Sequence, residues 1–295
     1  MTDQKNDFEC LSKLNMSLFA MNGSDRENFG ELLRTAYDAP KGREVMNEVA
    51  FKGYTFLYDA MPGLNGACDF EQKTVRLDSF HRQSELAPVL IHECAHVLQV
   101  DRLCEKTGAK NAGDVINALN ARDFIKLNRA FEADASAHQA AYAYQMRDKN
   151  PALFEKEMES PMTRAYAAEM EKSGDESKAM RASFQAWYGY KKYQDAYEKQ
   201  FQPQILRNAA KRERTGEKTV SLSNRDIAGF CRFQGKPYVS QEFFDRAENL
   251  AVSREMKDAL AATGDKTVAA LPVRGEKPAL SPAALSKAVA TARGR

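Results

Sequence analysis

Residues 90–99 read LIHECAHVLQ, a run whose apolar positions call for burial while its polar ones resist it. Val89, Leu90, Ile91, Val97 and Leu98 surround His92, Glu93 and His96. An exposed helix has no use for those aliphatic side chains, and burying unpaired ionisable groups costs several kcal/mol. An ion held by the imidazoles meets both demands. On a helix, residues four apart share a face with Cβ atoms about 5–6 Å from one another, so His92 and His96 can aim nitrogens at one point. Zinc binds such nitrogens at about 2.0–2.1 Å. Glu93 lies about 100° round the helix from His92, which suits it to accept a proton from water rather than to join the ligand row. The structural alternative is a chance pairing of two core histidines, although two of the four histidines in the chain fall in this run.

Catalytic zinc takes three protein ligands and keeps one position open, so the run is one ligand short. The stretch LNRAFEADASAHQAAYAYQ offers carboxylates and a further histidine in one helical segment, and its alanines allow close approach to the first helix. Glu132 is the expected third ligand. Asp134 is then expected to accept directly from the ring N–H of a liganding histidine, with the two roles open to exchange. The two residues are about 200° apart on a helix, so only one should face the metal. Water activated by zinc with Glu93 as general base would attack a carbonyl, and His138, Tyr142 or Tyr144 could donate to the oxygen that gains charge.

Ahead of the motif, NFGELLRTAYDAPKGREVMNEVAFKG carries two amphipathic helical patterns broken at Pro40 and closed at Gly53. YTFLYD and GACDFEQKTVRLD, separated by the turn-rich MPGLNG, read as three short strands near 54–58, 66–70 and 73–77. The strand edge GACDF could bind an extended peptide. A helix capped by Ser84 would carry the motif to about Cys104, with Pro88 tolerable near its first turn. The expected fold class is α+β, mostly helical, with a small three-stranded sheet preceding the motif helix. Further on, Phe184, Trp187, Tyr188, Tyr190, Tyr193, Tyr197 and Phe201 recur at helical spacings and read as core.

With GYTFLYDAMPGLNGACDFEQKTVRLD, LIHECAHVLQ and LNRAFEADASA in place, the chain resembles bacterial metallopeptidase domains of the HExxH zincin, gluzincin-like type over about residues 28–201. The resemblance implies a zincin-like fold and a peptidase that uses His92, Glu93 and His96. In that clan the ligand glutamate commonly stands four residues before the aspartate of an Ala-Asp pair, where this chain has Ala130. The function expected is zinc-dependent hydrolysis of a peptide or protein. The rival is a catalytically inactive, metal-stabilised binding or regulatory module.

Charge excludes little beyond polyanion binding: 43 Lys and Arg nearly cancel 41 Asp and Glu, so nucleic acid is not an expected partner. No stretch reaches the roughly 18 apolar residues of a membrane span, and the start lacks a basic-then-apolar leader, which favours a cytoplasmic setting. The five cysteines, Cys10, Cys68, Cys94, Cys104 and Cys231, are scattered and read as reduced thiols. Oligomeric state leaves no trace. Composition divides the chain into an N-terminal segment (1–27), the zincin-like domain (28–205), a helical extension (206–262) and a flexible tail (263–295).

Overall fold

A computed structural model describes residues 23–81 and 83–275 of the chain. Most of the N-terminal segment, Cys10, the end of the tail and the side chain of Ser84 lie outside the described residues. Helices α1 (Gly23–Tyr37) and α2 (Pro40–Phe51) precede strands β1 (Thr55–Asp59), β2 (Gly66–Asp69) and β3 (Thr74–Asp78). Pro40 opens α2, where its missing N–H costs nothing, and Gly53 follows at φ +76°, a left-handed conformation that glycine adopts without strain. The sheet order is β1-β3-β2, with β1 parallel and β2 antiparallel to the central β3. Gly66 pairs with Leu77 and Cys68 with Val75, leaving β2 at an edge among the described strands.

The motif helix α3 (Gln83–Thr107) starts before Ser84 and continues beyond Cys104, with Pro88 inside it. Leu90, Ile91, Cys94 and Val97 are fully buried against the sheet and the first two helices. Burial of such a side chain contributes roughly 1.5–3 kcal/mol, which is what holds the polar run in place. After α4 (Ala112–Ala118), the long helix α5 (Ala121–Gln145) packs on α3. Ala130, Ala133, Ala137, Ala140 and Ala141 on α5 are wholly buried, and their small size lets other helices lie close. Next come α6 (Pro151–Glu157), α7 (Pro161–Ser173), α8 (Glu176–Gly189) and α9 (Lys191–Thr215).

The position between residues 205 and 206, read as a boundary, falls inside α9. Its basic end forms a helix face, with Gly216 closing it at φ +68°. Beyond it, Leu222, Ile227, Phe244, Leu260 and Leu271 join the same apolar cluster as Phe124 and Ala130 of α5. Residues 263–275 differ from the tail expected of their composition. Val268 and Leu271 are buried, Val252 bridges Val273, and Asp265 accepts from the Ala121 N–H at the start of α5. Two apolar anchors and one capping carboxylate outweigh a composition rich in Ala and Lys. No helix among the described residues is long and apolar enough to cross a membrane.

Candidate metal centre

Helix geometry alone brings His92 and His96 to one face of α3, and their Nε2 atoms stand 3.1 Å apart. The alanine-lined contact with α5 then delivers Glu132, whose carboxylate oxygens lie 3.5 Å from His92 Nε2 and 3.6 Å from His96 Nε2. One ligand atom from each of the three residues falls within 4.8 Å of the others. Ligands arranged tetrahedrally about zinc, with bonds of about 2.0–2.1 Å, stand about 3.3 Å apart. The spacing here brackets that value.

The ring of His96 has a defined orientation. Gln99 gives both amide hydrogens away, one to Phe131 O at 3.0 Å and one to Asp134 Oδ2 at 2.7 Å. Its Oε1, 2.9 Å from His96 Nδ1, therefore accepts from that nitrogen. The neutral ring then presents the lone pair of Nε2 towards His92 and Glu132. On the other side Gln139 stands beside His92 and donates to Glu157 Oε2 at 2.9 Å. His96 is thus backed by a glutamine amide anchored on a carboxylate, whereas His92 Nδ1 is buried with no hydrogen-bond partner among the described residues.

Electrostatics agree with this convergence. Burial alone would raise the Glu132 carboxyl, but His96, His92 and Tyr197 win and hold it below the usual carboxylate range. Burial likewise works against a charged His92, yet the neighbouring Glu132 and Glu93 raise it above the ordinary imidazole value. Glu132 Oε2 is buried and has no hydrogen-bond partner among the described residues. A buried carboxylate oxygen left open beside two imidazole lone pairs is the chemistry of a divalent cation site. The residues fit zinc.

Glu93 sits on the neighbouring face of α3, 8% exposed, against edge strand β2. A Cβ on Gly66 would come within 3.2 Å of Glu93 Oε1 and 2.8 Å of Val89, so only glycine lets the strand run this close. Cys68, two residues along β2, donates its thiol to the Glu93 carbonyl at 3.0 Å. Burial and the charge of Glu93 push that thiol well above its ordinary value, which makes it a poor nucleophile.

Asp134 is placed otherwise than expected. It touches Gln99 and receives the Tyr238 hydroxyl at 2.7 Å, so it reaches His96 only through the amide. The donors expected opposite the metal are occupied elsewhere. His138 Nε2 contacts Arg232 O, and the Tyr142 hydroxyl donates to Thr35 O. Tyr144 packs against Phe154 and Tyr166. Tyr197 of α9 lines a cavity together with His92, and burial and the charge of Glu132 push its phenol far up. Its sequence signal was present only as one member of an aromatic helical row, and nothing local says that the row turns Tyr197 towards α5. Gln99 carried a better signal, since it stands three residues after His96 on one face of the same helix.

A family model described as "Putative metallopeptidase family (DUF6782)" matches residues 14–239. No curated protein and no solved structure matches the chain.

Proposed function

The chain belongs to the putative metallopeptidase family whose model spans residues 14–239, and on that premise we propose that it is a zinc-dependent peptidase of the HExxH type. The observation that carries the reading is the convergence of His92 Nε2, His96 Nε2 and a Glu132 oxygen beside a buried Glu93. These three residues would hold the ion. The chemistry that zinc supplies when bound is Lewis acidity, which acidifies water and polarises a peptide carbonyl. A donor set of three protein ligands is that of a catalytic rather than a structural zinc.

The chain's own residues perform the remaining tasks. Glu93 accepts the proton of the attacking water and can return it to the leaving amine. Gln99 keeps the His96 imidazole turned so that its lone pair faces Glu132. Tyr197, held protonated, offers an O–H where negative charge develops. The edge of β2 beside Glu93, which no other described strand covers, offers backbone N–H and C=O groups to an extended peptide.

Glu93→Gln tests the reading, because it preserves shape and removes the base. The expected result is wild-type zinc content with hydrolysis of a diverse peptide pool reduced about 10²- to 10⁴-fold. A zinc-loaded wild-type protein that cleaves nothing in that pool, while Glu93→Gln retains the same partner binding, would instead make the site a structural brace.

A further inference from the structure

A cavity of about 560 Å³ opens directly beside His92, walled by α5, α6, α9 and the turn leading into α7. Its chemistry is uneven. One wall is aromatic: Tyr190, just ahead of α9, meets Tyr193 edge-on at 4.9 Å, and Tyr197 follows one turn later. Facing them is Glu157, half-buried at the end of α6 and fastened to α5 through the Gln139 amide. Lys156 is near enough to act on Glu157, but it does so from the exposed rim. Lys156 and Lys192 are both exposed, and Lys156 is bonded to Glu159 at 2.9 Å. The inward charge is therefore that of Glu157, near enough to act on both His92 and Tyr193.

We propose that this cavity is a specificity pocket for a basic side chain, arginine or lysine, at one position adjacent to the scissile bond, with Glu157 as its selecting residue. The inference rests on the peptidase reading and deepens it. A long side chain with an apolar stem and a cationic tip matches an aromatic wall that ends at a carboxylate. Tyrosine faces attract the cation, and the carboxylate accepts its N–H donors. Burial already raises the Glu157 carboxyl, an unfavourable state that an incoming cation relieves. His92 lines the same cavity, so a substrate side chain seated in it would bring its own backbone near the metal ligands.

The test uses the zinc-loaded full chain and paired fluorogenic peptides that differ only in arginine against its neutral isostere citrulline. Wild type should cleave the arginine peptide with kcat/KM at least tenfold above its partner. Glu157→Gln should bring that ratio close to one, and Glu157→Lys should invert preference towards glutamate at the same position. Zinc content of each variant is measured in parallel, and the ratio is compared within a variant so that changes in overall rate cancel. Cleavage with equal rates for both peptides, or an unchanged ratio in Glu157→Gln, overturns the pocket and leaves the peptidase reading standing. A second arm measures fluorescence anisotropy of both peptides on zinc-loaded Glu93→Gln. Tenfold tighter binding of the arginine peptide there, with no cleavage by wild type, supports the pocket and rejects the peptidase. Equal binding of the two peptides, or none, rejects the pocket.

Discussion

Arg129 and Glu132 stand one turn apart on the same buried stretch of α5, and their surroundings treat their charges in opposite ways. Arg129 is closed in. Its guanidinium donates to Glu198 at 2.7 Å and to Asn249 O and Ala251 O at 3.0 Å each, while Glu198 also accepts from Ser253 N–H and pairs with Arg274. Glu132 is left open. It faces two imidazole nitrogens beyond hydrogen-bond distance and keeps one oxygen without a partner among the described residues. Both clusters are desolvated, so the difference is one of completion: a finished network ties distant segments together, and an unfinished one of convergent lone pairs awaits a cation.

The comparison breaks most sharply at the histidines. His92→Ala or His96→Ala should reduce zinc from stoichiometric to near zero, a loss of roughly 3–5 kcal/mol per ligand, while each variant unfolds at nearly the urea midpoint of metal-free wild type. Metal analysis and urea titration on the same samples decide this. Unchanged zinc in both variants would put the site elsewhere.

Arg129→Ala should do the reverse. Removing Arg129 takes the donor from Asn249 O and Ala251 O and leaves Glu198 with only Arg274 and the Ser253 N–H, which should cost about 3 kcal/mol of folding stability, with zinc per folded chain preserved. A stability loss below 1 kcal/mol would mean that the network holds little together.

Smaller effects sharpen the boundary between ligand and support. Gln99→Leu frees the His96 ring and should weaken zinc about 10- to 100-fold without abolishing it. Glu132→Gln should weaken zinc more than Asp134→Asn. If Asp134→Asn alone abolishes binding, the two carboxylates have exchanged roles.

The smallest effect is a cap. Burial would raise the Asp265 carboxyl, but bonds from the Ala121 N–H and from Thr267 hold it below the usual range. A depressed carboxyl stabilises the fold above its unfolded value, near pH 4, and that contribution disappears as pH falls through the depressed value. Asp265→Asn should therefore cost about 0.5–2 kcal/mol at neutral pH, with the gap to wild type closing in acid. A gap independent of pH would make the residue's role steric.

Legibility followed locality. The β1, β2 and β3 strands were readable to within a residue or so, because period-two runs between turn residues depend on near neighbours. The two histidines were readable for the same reason: four residues on a helix make a fixed geometry. Asp134 was misplaced because a glutamine amide stands between it and His96, and only the His96–Gln99 half of that relay is local in sequence. The tail was misjudged from residue 263 because composition averages over positions, whereas Val268, Leu271 and Asp265 act singly.

By itself, then, the sequence determined a helix that must be buried and must present His92, Glu93 and His96 together, since hydrophobic periodicity and helix pitch leave few alternatives. Tertiary structure decided what those residues meet. Glu132, Gln139, Glu157 and Tyr197 arrive from three other helices, and their choice depends on the depth to which alanines let α5 settle and on the rotation of α9. Neither quantity is encoded at any one position. Both emerge from the packing of the whole core, where a shift of an ångström would exchange a ligand for a bystander.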